Sequence, residues 1–88
     1  MNHLESAFSF VINVFNGYAK GGNNESLSKL EFERLIREEM PETLENAKDK
    51  AFVDKLVKDL DENGDEVDFR GYMKFVAEMT VRRFEEMH

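Results

Sequence analysis

Apolar residues recur at intervals of three and four along four segments of the chain, with polar residues between them. The segments cover residues 2–18, 29–40, 49–60 and about 69–87. This spacing places apolar side chains on one face of a helix, so the pattern predicts four amphipathic helices. The apolar positions are Leu4, Ala7, Phe8, Val11, Ile12, Phe15 and Tyr18 in the first segment, Leu35, Ile36 and Met40 in the second, Phe52, Val53, Leu56, Val57 and Leu60 in the third, and Tyr72, Phe75, Val76, Met79, Phe84 and Met87 in the fourth.

Short polar residues mark where two of these helices begin. The sequence Ser28-Lys29-Leu30-Glu31 matches a capping box, in which the serine oxygen and the glutamate carboxylate each accept a hydrogen bond from the other residue's backbone amide. Pro41 ends that helix, because proline cannot continue the backbone ladder. Asp49 is the predicted N-cap of the third helix. Residues 42–48 lack a strong apolar stripe and are predicted to form a hinge.

Two loops complete the predicted organisation. Residues 20–25 are rich in turn formers and show no periodicity, and residues 61–68 are mostly acidic. The chain therefore reads as an all-α domain of two helix-loop-helix units, residues 1–41 and 49–88, joined by the hinge at 42–48. We expect the two loops to pair through short strand-like contacts, with Leu27 opposite Val67.

The acidic loop has most of the features of an EF-hand calcium loop. Such a loop carries oxygen ligands at positions 1, 3 and 5, a glycine at 6, an apolar residue at 8 and a bidentate glutamate at 12. If the loop starts at Asp61, then Asp61, Asn63 and Asp65 fit the first three places, but Glu66 and Tyr72 fall at positions 6 and 12.

Two other registers of the same loop are open. Starting at Asp59 puts Arg70 in the place of the final glutamate. If one residue is deleted after Asp65, Val67 takes the apolar place and Gly71 the place of the glutamate. No register supplies the bidentate carboxylate, which predicts weak calcium binding or none at this loop. The alternative is a solvated acidic turn that keeps the shape without the ion.

Composition narrows the function classes. A chain of 88 residues forms one small domain with a modest core, so association with a second chain is an expectation. It has no cysteine, which excludes disulfides, thiolate metal clusters and a cysteine nucleophile. The net charge of -7 disfavours nucleic acid as a partner and suits cations or basic peptides. No apolar run reaches the length of a membrane span and no basic leader is evident, which favours a cytoplasmic protein.

Taken together, these motifs resemble the S-100 proteins, small dimeric members of the EF-hand superfamily, over essentially the whole chain. The matching stretches are Val14-Phe15, Leu27-Ser28-Lys29 with Glu31, Val53-Asp54-Lys55, Leu60-Asp61-Glu62-Asn63-Gly64-Asp65 and Glu66-Val67-Asp68-Phe69. The resemblance implies a long first loop that binds calcium mainly through backbone carbonyls and is closed by one glutamate. Counted from Ala19 to Glu31, this loop is one residue shorter than the family's long form. Some members of the family leave the cell by unconventional secretion.

The resemblance also implies which residues would hold calcium. In the second loop the predicted ligands are Asp61, Asn63, Asp65, Glu66 and Asp68. In the first loop they are the carboxylate of Glu31 and the backbone carbonyls of Ala19 and Ser26. Glu31 could instead be the capping-box partner of Ser28, and the residues alone do not decide between this role and that of a calcium ligand.

The predicted helices at the two ends of the chain hold more apolar surface than a four-helix monomer of this size hides, which indicates an interface. We expect a homodimer built on the first and fourth helices. The resemblance further implies a groove between the hinge and the third and fourth helices that takes an amphipathic helix of a target protein. Its predicted residues are Leu44, Phe52, Phe75, Phe84 and Met87, with ordinary core packing as the alternative for Phe75.

Two interaction functions therefore compete at the level of sequence. One is a calcium sensor of low affinity, and the other is a calcium-independent adaptor whose loops are structural remnants. A zinc site shared between subunits through His3 and His88 is a third and weaker reading, because no His-x-x-x-His pair is present. No nucleophile, phosphate loop or carboxylate pocket indicates an enzyme.

Overall fold

The computed structural model describes residues 2–19 and 25–88. Within them the chain forms four α-helices, a short 3-10 helix and two very short strands. In chain order these are α1 (His3–Tyr18), β1 (Ser26–Leu27), α2 (Lys29–Glu39), the 3-10 helix (Thr43–Glu45), α3 (Ala47–Asn63), β2 (Val67–Asp68) and α4 (Phe69–Glu86). The predicted all-α order of helix, loop, helix, hinge, helix, loop, helix is confirmed.

Helix α2 begins as the capping box predicts. The Glu31 amide donates to Ser28 Oγ at 3.1 Å, and the Ser28 amide donates to Glu31 Oε1 at 2.9 Å. Two backbone donors that a helix start leaves without partners are thereby satisfied. At the other end Met40 is the C-cap, and Pro41 follows.

The predicted start of α3 at Asp49 is wrong. Asn46 is the N-cap, and its Oδ1 accepts the amides of Lys48 at 3.0 Å and Asp49 at 3.1 Å. Asn46 holds an extended backbone conformation, whereas Asp49 lies inside the first turn and is buried. The hinge is correspondingly shorter than residues 42–48, and its centre is the single 3-10 turn at Thr43–Glu45.

The two strands pair antiparallel, with Leu27 opposite Val67 and Ser26 opposite Asp68. The predicted pairing of the two loops is confirmed. Because Leu27 is completely buried and Val67 nearly so, the strand pair anchors both loops on the core. The core itself comprises Phe15, Ala19, Leu27, Phe32, Leu35, Ile36, Val53, Val67, Tyr72, Phe75 and Met79.

Aromatic contacts join the first and last helices. The Phe15 ring lies 5.2 Å from both the Phe69 and Tyr72 rings, and the Tyr72 hydroxyl donates to the Val11 carbonyl at 2.9 Å. Helices α1 and α4 nevertheless keep large apolar side chains on the surface, as the sequence predicted. These are Leu4, Phe8, Phe10 and Ile12 on α1 and Phe69, Val81 and Phe84 on α4, followed by Met87.

Across residues 2–19 and 25–88, none of the helices combines the length and the apolar character needed to cross a membrane.

Candidate functional site

The two helix-loop-helix units have the same hydrogen-bond pattern at the start of their second helix. In each, a strand residue of the central pair, Leu27 or Val67, is followed by an N-cap, and the N-cap side chain accepts the amide of the third helical residue. In the second unit that bond runs from the Gly71 amide to Asp68 Oδ1 at 2.7 Å. Gly71 therefore occupies the place that Glu31 occupies in the first unit. This correspondence supports the register in which one residue is deleted after Asp65.

The second loop is short because α3 continues into it. Asp61 and Asn63 lie in the last turn of that helix, which ends at Asn63. Gly64 then adopts the left-handed conformation, with φ of 66°, and the Asp65 amide donates to the Leu60 carbonyl at 3.1 Å. Such a helix ending satisfies carbonyls that would otherwise lack donors. Three residues, 64–66, are all that separate α3 from β2.

Several of the predicted ligand oxygens in this loop contact protein groups. Lys29 Nζ lies 3.4 Å from Asp61 Oδ1, the Ser26 hydroxyl donates to Glu66 Oε1, and Asp68 caps α4. In the part of the chain that the structure describes, no three His, Asp or Glu side chains come together in a group that could hold a metal ion.

The first loop is described only at its two ends. Ala19 is fully buried, and its amide donates to the Phe15 carbonyl at 2.9 Å, which closes α1. Ser26 lies in β1, and one carboxylate oxygen of Glu31 is engaged in the capping box. Lys20 to Asn24 lie outside the described residues, and so does the predicted shortening of this loop.

The predicted groove residues divide into two groups. Phe75 is 4% exposed and packs edge to face on Phe32, with ring centroids 5.0 Å apart, so its prediction as a groove residue is corrected to a core residue. Phe84 is 63% exposed and Met87 75% exposed, while Leu44 and Phe52 are half-buried.

The histidines lie near the two chain ends. His3 is exposed at the start of α1, and the His88 ring lies 4.6 Å from the Phe84 ring. Neither belongs to a metal-binding group among the described residues.

A polar cluster between α3 and α4 was not predicted from the sequence. The Arg82 guanidinium donates to Glu78 Oε2 at 2.8 Å and to Asp49 Oδ1 at 3.2 Å, and its central carbon lies 4.4 Å from the Phe52 ring centroid. Nearby, Asn46 Nδ2 donates to Glu86 Oε1 at 2.9 Å. The hydrogen bonds to Glu78 and then to Asp49 raise the pKa of Arg82 above its ordinary value. The Arg82–Glu78 pair is visible in the sequence as an i,i+4 spacing, but its partner 33 residues away is not.

A second cluster joins the end of α1 to the end of α2. The Tyr18 hydroxyl donates to Glu38 Oε1 at 2.8 Å and lies 3.3 Å from Glu39 Oε2, and Arg34 Nε donates to Glu38 Oε2 at 2.8 Å. The hydrogen bond to Glu38 is the main cause that raises the pKa of Tyr18 to about 12. The pKa of Glu38 is lowered, chiefly by Arg34 and then by Tyr18.

Comparison with known families matches residues 4–47 to the S-100/ICaBP type calcium binding domain. The matched region spans half of the chain and takes in α1, both described ends of the first loop, α2, the hinge and the start of α3. Together with the paired loops and the capped second helix of each unit, this match establishes that the chain belongs to the S-100/ICaBP family of EF-hand calcium-binding proteins.

Proposed function

We propose that this chain is an interaction protein that docks an amphipathic helix of a target protein, and that its second EF-hand loop binds calcium weakly. The observation that carries the proposed weak calcium binding is Gly71, which stands where the first unit has Glu31. A glycine offers no side-chain oxygen, so the ligand that normally contributes two oxygens at the end of the loop is missing.

The charges around the second loop also favour weak calcium binding. The Lys29 ammonium is 3.4 Å from Asp61 Oδ1 and would repel a divalent ion bound beside it. In the S-100 family calcium opens the target groove by reorienting the third helix. If calcium binds the closed and open arrangements of α3 with nearly equal affinity, it cannot shift the balance between them, however much is added. The groove is therefore set mainly by protein contacts.

The target surface that we propose is formed by Leu44, Phe52, Phe84 and Met87. An amphipathic helix buries its apolar face in such a groove, and an unbranched methionine adapts to partners of different shape. The net charge of -7 favours a basic partner through faster association.

A calcium-independent dimeric adaptor is the second candidate. It is favoured by the contacts that already join the loops, from Ser26 to Glu66 and from Lys29 to Asp61. These contacts hold the strand pair in place without an ion. A third role is zinc binding between subunits by His3 and His88. It would be supported if the wild type retains zinc and a His88→Ala variant does not.

A calcium titration by calorimetry, with amide NMR spectra at both ends, separates the first two candidates. Heat that appears only near millimolar calcium supports the proposed weak loop, and spectra that then shift throughout α3 support a residual sensor. Unchanged spectra of the folded protein support the adaptor. Strong heat at micromolar calcium with widespread shifts contradicts the weak second loop.

A repaired loop tests the reason for the weak binding. Inserting a glycine after Asp65 together with Gly71→Glu should raise calcium affinity by roughly tenfold or more, because it restores both the turn and the bidentate carboxylate. A Cβ at Gly71 would lie 3.2 Å from Asp68 Oδ1 and 3.4 Å from Val67 Cγ1, so a small local shift accompanies the change. The same insertion with Gly71→Gln is the control, since it matches the size without the charge. Equal affinity in the repaired loop and the control would show that the missing carboxylate is not the cause.

A further inference from the structure

We propose that Arg82 is a latch that closes the target groove by fastening the beginning of α3 to α4. Three contacts of Arg82 converge on this junction: the ion pair with Asp49, the hydrogen bond to Glu78 and the stacking on the Phe52 ring. Glu78 lies on α4 with Arg82, whereas Asp49 and Phe52 lie on α3. One guanidinium group therefore joins the two helices that form the walls of the groove.

The burial of these groups makes the junction stronger than a surface ion pair. The Asp49 side chain is 11% exposed and the Arg82 side chain 27% exposed. Separating them would leave a largely buried carboxylate without its cation, which costs more than the loss of an exposed pair. Glu78 holds the guanidinium from its own helix, and the central guanidinium carbon lies 4.4 Å from the Phe52 ring centroid.

A second polar contact supports the same junction. Asn46 caps α3 through the amides of Lys48 and Asp49, and its Nδ2 group donates to Glu86 at 2.9 Å. The residue that starts α3 is thus bonded to the C-terminal end of α4. Arg82 and Asn46 together fix the N-terminal end of α3, while its C-terminal end is held by the loop pairing.

The latch and a docked helix compete for the same ring. This step rests on the proposed function, in which Phe52 contacts the target. While Arg82 covers Phe52 the ring is half-buried and faces a cation. A target helix gains that apolar surface only when the Arg82–Asp49 pair opens, so its apparent affinity is reduced by the fraction of molecules that remain latched.

Hydrogen exchange without any partner tests the latch directly. In the Arg82→Met variant the amides of Lys48, Asp49 and Lys50 should exchange about tenfold to a hundredfold faster than in the wild type, because a charge-assisted hydrogen bond is lost. Arg83→Met is the matched control, since Arg83 is the exposed neighbour on the same helix, and its exchange should equal that of the wild type. Unchanged exchange in Arg82→Met would overturn the proposal.

Further variants distinguish a latch from a general packing role. Asp49→Asn should speed the exchange of the same amides. The double variant Arg82→Met with Asp49→Asn should exchange no faster than the faster single variant, because both changes break the same Arg82–Asp49 contact. Additive acceleration would overturn the pairwise latch. If Arg82→Met does not fold, Arg82→Lys serves in its place: it keeps the charge but loses the planar stacking, and intermediate exchange is expected.

Docking is measured separately, with a fluorescein-labelled synthetic amphipathic helix of leucine and lysine as the probe. Arg82→Met should bind it several-fold more tightly than either the wild type or Arg83→Met. Faster exchange with no probe binding by any form would sustain the latch and contradict the proposed docking function. Faster exchange with equal probe affinity in all three forms would overturn the competition for Phe52.

Discussion

Tyr18 shows how one carboxylate changes the chemistry of a half-buried side chain. Its hydroxyl donates to Glu38, whose negative charge disfavours a second negative charge on the phenol. The pKa of Tyr18 is raised from 10.0 to about 12. Because the neutral form is favoured in the folded state, this interaction contributes its full stability below pH 10 and loses it as the pH rises toward 12.

Glu38→Ala should lower the pKa of Tyr18 from about 12 toward 10. The measurement is an absorbance titration of tyrosinate in a Tyr72→Phe background, which leaves Tyr18 as the remaining tyrosine of the two in the chain. Glu5→Ala removes an equal charge from the exposed start of α1 and should leave the titration unchanged. A Tyr18 pKa that stays high in Glu38→Ala would show that Glu39 or burial, and not Glu38, sets it.

At the scale of secondary-structure elements, two glycines with room for a side chain should respond in opposite ways to substitution by alanine. Gly64 ends α3 with φ of 66°, a conformation in which any other L-residue is strained, whereas Gly17 lies within α1 with open space around its Cα. Neither position leaves a Cβ with a neighbour within 4 Å, so packing is not the difference between them. Backbone conformation alone decides the sign of a substitution.

Gly64→Ala should destabilise the protein by about 1–2 kcal/mol, and Gly17→Ala should stabilise it by roughly 0.5–1 kcal/mol. Urea unfolding at matched protein concentration measures both changes, with the slope of the transition as a check that the unfolded state is the same. Equal effects of the two substitutions would show that α3 ends without the left-handed residue in solution.

The elements were predictable from sequence where the signal is local. The period of apolar residues defined all four helices, and the Ser28 box defined the start of α2, because both depend on residues within one or two turns. The start of α3 was misplaced because Asn46 and Asp49 are both good caps, and only the backbone conformation distinguishes them. The contacts that build the latch and bury Phe75 join residues far apart in sequence, which periodicity cannot detect.

At the scale of the whole molecule, the exposed apolar side chains are concentrated at the two ends of the chain. Leu4, Phe8 and Ile12 recur every fourth residue along α1 and form a stripe on its surface, and α4 adds Val81 and Phe84. A separate apolar concavity of about 330 Å³ lies between α1, the end of α2 and α4, and its lining includes Phe10, Val14 and Val76. Large apolar side chains exposed in this number on two helices are typical of an interface. We therefore keep the prediction that two copies associate through α1 and α4.

Sedimentation equilibrium tests that association. The wild type should sediment at twice the mass of the chain, and Phe8→Ser should raise the dissociation constant by about tenfold or more, because each copy loses one buried aromatic side chain. Leu30→Ser is the matched control: Leu30 is 74% exposed but lies on α2, outside the predicted interface, so its removal should leave the dissociation constant unchanged. Because a dimer is stabilised by its own concentration, the urea midpoint of the wild type should also rise with protein concentration. A monomeric wild type at millimolar protein would contradict the prediction, and equal effects of Phe8→Ser and Leu30→Ser would place the interface elsewhere.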